Sequence, residues 1–355
     1  MALPVQQQFK YWGIAAAVFL IALWYLGGVL LPFVLGMAFA YMLDPIADWL
    51  EAHGFSRVWA TVTITLLALL IFTLLALLVL PKIVSQAVAL VNVAPQIFNQ
   101  LQSFLTERFP SLMVEGSPLR QSLVGLGNTI QSRGGELLNG LLVSAMSLIN
   151  LLALGVLVPV ITFYLLLDWD RMVAEIDRLL PRDHAPVIRK LATEIDRTLA
   201  AFIRGQGMVC AILGTYYAVA LMIVGLQFGL VVGFIAGLIT FIPYVGAIVG
   251  GTLALGLAVF QFWGEWWMIG IVVVIFFAGQ TLEGNVLTPN LVGSSVGLHP
   301  VWLIFALAAF GSLFGFVGML IAVPVSAALG VVTRHGINRY MESPLYRGLD
   351  ERRDE

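Results

Sequence analysis

The chain has 355 residues, of which 60% are hydrophobic and only 11% are charged, and its formal net charge is −2. Soluble domains carry about 25% charged residues, so this composition excludes an ordinary soluble protein and predicts a polytopic helical membrane protein. The charge balance gives no sign of a nucleic-acid partner, and the single cysteine, Cys210, excludes an internal disulfide framework.

Hydropathy and charge divide the chain into six parts and predict an all-α fold with about eight membrane segments. We expect some of these segments to be broken or re-entrant, and one small amphipathic helical module to lie outside the bilayer. In chain order the parts are N-terminal membrane segments at 1–81, an extracytoplasmic amphipathic module at 82–138, a transmembrane span at 139–167, cytoplasmic amphipathic helices at 168–205, a C-terminal membrane core at 206–333 and a cytoplasmic tail at 334–355.

The N-terminal membrane segments begin with an uncharged run that is longer than one span and shorter than two. Residues 11–43 carry no charge, and the pair Gly27-Gly28 interrupts them. One span needs about 20 residues, so we expect two short helices, 11–26 and 29–43, that form a hairpin. A single long, tilted helix is the alternative.

A polar turn is predicted over 44–57, where acidic residues, a histidine and an arginine cluster. We expect the span that follows, 58–80, to end at Pro81, because proline lacks the N–H that continues a helix. Residues 139–167 form another predicted span, with Pro159 inside it as a kink.

Lysine and arginine concentrate in two segments, and this distribution predicts the orientation of the chain. Residues 168–204 hold seven of the 18 Lys and Arg residues, and the tail after Thr333 holds five more. By the positive-inside rule both segments face the cytoplasm. The module at 82–138 is one span away and is therefore predicted to lie outside. Both termini are predicted to be cytoplasmic.

The C-terminal membrane core contains a very long stretch without basic residues, in which Glu265 and Glu283 are the acids. Residues 205–333 include no Lys or Arg and divide into four segments, two of them over-long, with Pro243 in one and Pro324 in the other. Such segments are typical of broken helices or re-entrant hairpins. Four crossings, or two crossings with two hairpins that double back, both keep the flanking basic segments on one side. The four segments are 206–226, 227–262, 266–288 and 301–333.

Glycines recur every four residues in this core. In lipid, small residues let helix backbones approach closely. The pattern predicts either static helix packing or a sliding or subunit interface, and spacing alone does not separate the two. The stripe comprises Gly225, Gly229, Gly233 and Gly237, the pairs Gly246/Gly250 and Gly311/Gly315 repeat its spacing, and Pro289 and Pro324 are further candidate hinge positions.

One polar island interrupts the core. It begins at Gln280, contains Glu283 and Asn285, and extends to His299. Polar groups inside an apolar run usually line a cavity or a pathway. We interpret Glu283 as the group that titrates or binds a cation, with the other three side chains as hydrogen-bonding partners. The alternative is that Glu283 is an interfacial residue near the far membrane surface.

A helix break is predicted opposite the island, at Pro243-Tyr244. Pro243 removes a backbone donor and Gly246 loosens the chain, so carbonyl groups there are free to face water or an ion. The alternative is a tolerated kink without a functional role.

The run Gly293–Gly297 matches G-x-S-x-G, with Ser295 at the position of a hydrolase nucleophile. That motif requires a strand before it and a helix after it, and no strand pattern occurs here. The chain also lacks the H-E-x-x-H metal motif and the phosphate-loop motif. We therefore predict no enzyme activity, no metal site and no cofactor, with a serine hydrolase as a minor hypothesis.

Several motifs occur together in a recognisable order across residues 10–335. They are Leu31-Pro32-Phe33 with Tyr41, Pro45 and Arg57, then Phe163–Asp168, Phe202–Gln206, Ile242–Gly246, Gln280 with Glu283, Gly284, Asn285 and Pro289, Leu298-His299-Pro300, and Gly311, Gly315, Gly318 and Pro324. In these motifs the chain resembles the autoinducer-2 exporter (PerM-like permease) family of bacterial membrane transporters.

The resemblance implies a secondary transporter of the bacterial inner membrane, with a small polar solute or a monovalent cation as substrate. Some members of the family are linked to export of autoinducer-2, and others to exchange of sodium or lithium for protons. The coupling ion is thus expected to be H+ or Na+, and the working form a homo-oligomer in the lipid bilayer. A non-transporting scaffold or partner subunit, acting through the cytoplasmic helices, is the alternative.

Overall fold

The computed structural model describes residues 25–108, 148–293 and 299–347, with isolated positions elsewhere. Regular structure in these ranges is entirely helical, which confirms the all-α prediction. A 3-10 turn at Gly27–Val29 comes first, and a π-helical segment at Glu283–Val292 follows α7. The helices are α1 (Leu30–Ala52), α2 (Arg57–Arg108), α3 (Leu148–Arg178), α4 (Ala185–Ile223), α5 (Gly229–Ile239), α6 (Val245–Gln261), α7 (Trp266–Leu282), α8 (Pro300–Glu342) and α9 (Pro344–Arg347).

Several helices have the length and composition of membrane spans. Large apolar side chains on them are exposed, for example Phe72 at 61% and Leu77 at 68%, as expected of a surface that meets lipid. Within the described residues five stretches are long and apolar enough to cross a membrane, namely Leu30–Ala52, Arg57–Leu74, Ala185–Ile223, Trp266–Val292 and Pro300–Glu342. The total of about eight segments stays a prediction.

The first polar turn is shorter than the sequence predicts. The break at Gly27-Gly28 is present as the 3-10 turn, whereas most of 11–26 lies outside the described residues. Helix α1 continues through Pro45 to Ala52, which confines the turn to 53–56. Helix α2 has 52 residues and passes through Pro81, so the predicted helix end there is wrong. One missing N–H does not stop a helix whose other backbone bonds are made.

Two other predicted boundaries lie inside continuous helices. Helix α3 extends past residue 167 to Arg178, and α4 runs 39 residues across the predicted boundary at 205. Arg189 of α4 donates to both carboxylate oxygens of Asp177 in α3, at 2.6 and 2.8 Å. These hydrogen bonds hold the pKa of the Asp177 carboxyl below its ordinary value. The predicted module beyond Arg108 lies outside the described residues.

The described helices form two compact units, the first comprising Met1–Thr65, Leu157–Gln206 and Pro289–Glu355. In this unit α1 and α3 pack closely. Thr162 donates its hydroxyl to the carbonyl of Gly36 at 3.1 Å, and a side chain at Gly36 would collide with Ile161. Small residues thus allow the two backbones to approach, as is usual between membrane helices.

An ion-pair network joins four helices of the first unit. Arg57 at the start of α2 donates to Asp44 of α1 at 2.9 Å and to the carbonyl of Leu166 in α3 at 2.9 Å. Arg204 of α4 donates to the second carboxylate oxygen of Asp44 at 3.3 Å and to the carbonyl of Tyr41 at 2.6 Å. The carboxylate of Asp44 therefore binds guanidinium groups from two helices.

Asp44→Ala is expected to lower the free energy of unfolding by about 1–3 kcal/mol, because both guanidinium groups lose a partly buried anion. Asp48→Ala is the matched control, since Asp48 also pairs with Arg57, at 2.6 Å, but its side chain is 63% exposed. An exposed pair contributes about 0–1 kcal/mol. Heat unfolding of the purified variants measures both effects, and an equal loss in the two would contradict the bridging role of Asp44.

The second compact unit comprises Leu66–Val156 and Gly207–Thr288. Its long apolar segment 227–262 is broken into α5 and α6, which pack side by side around the turn at 240–244. Helix α5 has 11 residues and is about 16 Å long, half of the roughly 30 Å bilayer core. The pair therefore forms a helical hairpin rather than one kinked span. Of the two predicted topologies, this favours two crossings with two hairpins that double back over four crossings.

The glycine stripe of the second unit faces α4. A side chain at Gly229 would meet Leu221, one at Gly233 would meet the backbone of Ala218, and one at Gly237 would meet Gly214. Gly225 does not belong to this stripe, contrary to the prediction. It lies in the turn before α5 with φ of +78°, a conformation that glycine adopts without strain.

Helix α8 also doubles back on itself, at one of the candidate packing or hinge positions. It is two helical stretches separated at Gly315, where φ is +59° and ψ is −137°. A side chain at Gly318 would collide with the carbonyl group of Phe310, although a straight helix would hold these residues about 12 Å apart. Pro324, another candidate hinge position, lies inside the second stretch and does not interrupt the helix. Gly311 and Gly315 likewise do not share one helix face.

Candidate functional site

Glu283 lies where the helix type changes. Helix α7 ends at Leu282, and Glu283 begins a π-helical segment of 10 residues that ends at Val292. Turns of this kind are rare and are found frequently at functional sites. Pro289 lies in the segment and has no N–H to donate to the carbonyl five residues earlier, that of Gly284. The carboxyl group of Glu283 therefore lies next to loosened backbone.

A short chain of polar groups connects Glu283 to α4. The side-chain amide of Gln280 donates to Oε2 of Glu283 at 3.0 Å and to the hydroxyl oxygen of Tyr217 at 3.3 Å. Glu283 is half-buried, whereas Tyr217 is only 1% exposed. Gln280 thus links a partly accessible carboxyl group to a buried phenol.

The Tyr217 ring is held from two sides. It stacks on Phe276 with ring centroids 4.5 Å apart and an angle of 12° between the planes. A Cβ added to Gly279 would lie 2.6 Å from Cζ of Tyr217, so glycine is needed there. Tyr217 was not among the residues predicted from the sequence. The usable signal was a tyrosine inside an apolar run, because a buried hydroxyl needs a polar partner.

Asn285, Ser295 and His299 also belong to the polar island. Asn285 is exposed, and the hydrogen bonds among the described residues do not join it to Glu283. His299 belongs to the first compact unit, where Nδ1 accepts from the N–H of Val301 at 3.3 Å and caps α8. Ser295 lies outside the described residues. The roles of these residues in transport stay predictions.

The predicted helix break is present in the second unit, between Thr240 and Tyr244. Tyr244 has φ of +68°, which a bulky residue rarely adopts and which costs about 1–3 kcal/mol. Pro243 precedes it without an N–H, and Gly246 is buried against the backbone of Thr240, where a side chain would not fit. The break is thus fixed by local packing and holds one strained residue.

Tyr244→Gly is expected to unfold at a higher temperature than Tyr244→Ala, with a difference of about 1 kcal/mol in unfolding free energy. Both variants lose the aromatic ring, but only glycine removes the Cβ that makes the positive φ unfavourable. Heat unfolding of the two purified variants gives the comparison. An alanine variant as stable as the glycine variant would show that no strain is stored at this turn.

Two units of apolar helices, two hairpins that double back and a carboxyl group inside a run without Lys or Arg are together typical of membrane transport proteins. A sequence model of the family described as AI-2E family transporter matches residues 14–338. The chain therefore belongs to the AI-2E family and is a membrane transporter by family.

Individual relatives agree with this assignment. The protein named "Putative permease PerM" from Escherichia coli (strain K12) is 30% identical over 337 residues, which cover 90% of this chain and 92% of the relative. "Putative transport protein YrrI" from Bacillus subtilis (strain 168) is 28% identical over 318 residues, 86% of each chain. These names describe transport rather than enzyme activity.

Proposed function

We propose that the protein is a secondary transporter in which Glu283 exchanges a proton during each transport cycle. The observation that carries the proposal is the half-buried carboxyl group at the junction of α7 and the π-helical segment, hydrogen-bonded to Gln280. The stretch of sequence around it, 205–333, contains no Lys or Arg. A carboxylate in an apolar setting loses hydration, and a bound proton offsets that loss.

The polar contacts favour a proton over a sodium ion as the species bound at Glu283. Hard cations are bound by several converging oxygen atoms. Here the Gln280 amide directs its N–H groups at both Glu283 and Tyr217, and an N–H donor repels a cation. One carboxyl oxygen of Glu283 accepts this donor, which leaves the second oxygen for a proton.

The transported substrate is proposed to be a small polar solute or a monovalent cation that crosses the bacterial inner membrane. The substrate and the proton are proposed to cross the membrane in opposite directions, so the protein is an antiporter or an exporter. We expect two hairpins to move during transport. The first is formed by α5 and α6, has the strained break at Pro243-Tyr244 and ends at Gln261. The second is α8, which turns at Gly315. The working form is proposed to be a homo-oligomer in the lipid bilayer.

Purified protein in proteoliposomes tests this proposal. A panel of small polar solutes and monovalent cations is offered under an imposed proton or sodium gradient, while a trapped dye reports internal pH. Transport of one substrate with opposite proton movement supports the proposal. Substrate movement that follows only a sodium gradient contradicts proton coupling. A scaffold protein would move no member of the panel and would leave the internal pH unchanged.

The proposed orientation places 82–138 outside the cytoplasm and 168–205 and both termini inside it, because Lys and Arg concentrate in the inner segments. Single cysteines at Ser103, Thr193 and Glu351, in a Cys210→Ala background, are treated in intact cells with a membrane-impermeant thiol reagent. We expect labelling at Ser103 alone. Labelling at Thr193 without labelling at Ser103 would reverse the orientation.

A further inference from the structure

The hydroxyl group of Tyr217 is buried and uses only part of its hydrogen-bonding capacity. It accepts from the side-chain amide of Gln280 at 3.3 Å, but the hydrogen bonds of the described residues give its own O–H no acceptor. Tyr217 is only 1% exposed, so bulk water does not reach this hydrogen. A buried donor without an acceptor is unfavourable, and any arrangement that supplies an acceptor is stabilised.

Packing fixes the position of this hydroxyl. The ring of Tyr217 stacks on Phe276, and a Cβ at Gly279 would collide with the hydroxyl oxygen. The neighbouring tyrosine has its acceptor already, because the hydroxyl of Tyr216 donates to the carbonyl of Ile275 at 3.1 Å. An acceptor for the Tyr217 hydroxyl must therefore move to it.

The side chain of Gln280 can supply this acceptor by turning its amide round. In the observed orientation the amide nitrogen faces both Tyr217 and Glu283, which suits an ionised carboxylate because that group only accepts. A protonated carboxyl group carries an O–H donor instead. The reversed amide presents a carbonyl oxygen, whose two lone pairs accept from the two O–H groups. Its N–H groups then reach water, since Gln280 is only half-buried.

We propose that Tyr217 is a positioning residue that favours the protonated form of Glu283 through reversal of the Gln280 amide. The inference rests on the proposed protonation of Glu283 during transport. A proton from water binds the second carboxylate oxygen, and rotation of the carboxyl group turns the new O–H towards Gln280. The amide then reverses, and its carbonyl accepts from Glu283 and from Tyr217. When the proton leaves to water, the amide returns to the observed orientation.

The other titratable groups around this site are few among the described residues. Cys210 of α4 interacts electrostatically with Glu283, and Tyr216 with Tyr217. Helix α6, which packs against α7, has no titratable side chain, and Glu265 lies at the opposite end of α7. Replacement of one tyrosine hydroxyl at a time therefore isolates the effect of Tyr217 on protonation.

Infrared difference spectroscopy of the purified full chain in liposomes measures this protonation without a transported substrate. The C=O band of the protonated carboxyl group is assigned by its absence in Glu283→Gln and is followed against pH. Tyr217→Phe is expected to move the midpoint of the band to lower pH, by about half a unit to one unit. The protonated form loses the O–H donor of Tyr217, whereas the N–H left without Tyr217 in the ionised form reaches water.

Tyr216→Phe is the matched control, because it also removes a tyrosine hydroxyl that joins α4 to α7. We expect it to keep the midpoint of the native chain. Gln280→Met removes the amide that couples the two O–H groups. In that background Tyr217→Phe should cause no further shift, since the hydroxyl then has no connection to the carboxyl group.

A native midpoint in Tyr217→Phe, or an equal shift in Tyr216→Phe, would overturn the role of Tyr217. A shift of the same size in the Gln280→Met background would also overturn it, because Tyr217 would then act without the amide. Failure of the proposed function looks different. In that case the carboxyl band is missing from the native chain at every pH, or Glu283→Gln transports like the native chain, and the inference falls with it.

A measurement on the native fold covers the case in which Tyr217→Phe does not fold, as heat unfolding of the variant would show. In the native chain with isotope-labelled tyrosine, the hydroxyl of Tyr217 changes from acceptor to donor as Glu283 is protonated. A tyrosine C–O band should therefore shift with the same midpoint as the carboxyl band, and it should persist in Tyr216→Phe. Tyrosine bands that do not change with pH over this range would overturn the proposal.

Discussion

Glu283→Gln is expected to reduce gradient-driven transport at least about tenfold, to the level of empty liposomes. Glutamine keeps the shape of the side chain and accepts the hydrogen bond from Gln280, which lies 3.0 Å from Oε2 in the native chain. It cannot take up or release a proton. Solute exchange without a net gradient should persist, because that process does not require the carboxyl group to titrate.

Two further variants make this result specific. Glu283→Asp keeps the carboxyl group but withdraws it from Gln280 by one methylene, so we expect partial activity with an altered pH dependence. Glu265→Gln is the matched control, since Glu265 is the other acid in the stretch 205–333 and lies exposed before α7. Wild-type transport by Glu283→Gln under a proton gradient would show that this acid is only an interfacial residue.

The hairpins of the C-terminal core could be predicted from the sequence, but for the last segment the sequence did not decide between the candidate hinge positions Gly315 and Pro324. At Pro243 the missing N–H coincides with Gly246, whose position against Thr240 allows the tight turn. Pro324 carries the same local signal but lies within a helix. The actual break, Gly315, depends on a positive φ that lets Gly318 approach Phe310, and such tertiary contact leaves no periodic pattern.

The polar site likewise combines a contact that follows from local sequence with contacts that depend on tertiary packing. Gln280 and Glu283 are three residues apart on one helix, so their contact follows from helical geometry. Tyr217 lies 63 residues from Gln280, and its contact requires α4 and α7 to be packed together. The π-helical segment has no sequence rule of its own. The bridge from Asp44 to Arg204 spans 160 residues and was likewise not predicted.

Gly233→Leu is expected to destabilise the second unit by about 3 kcal/mol or more and to abolish transport. Already a Cβ at Gly233 would lie 2.6 Å from the carbonyl carbon of Tyr217, and a leucine side chain is much larger. The backbones of α4 and α5 would have to separate. That movement would also displace Tyr217, which contacts Gln280 and stacks on Phe276.

Gly256→Leu is the matched control for this substitution. Gly256 lies on α6, in the same helical hairpin, but it is exposed and a side chain there meets no atom within 4 Å. Both variants raise hydropathy and helix propensity equally, so insertion into the membrane cannot account for a difference between them. Heat unfolding and flux in proteoliposomes should show loss in Gly233→Leu and near-native values in Gly256→Leu. Native stability and flux in Gly233→Leu would mean that this face meets lipid rather than α4.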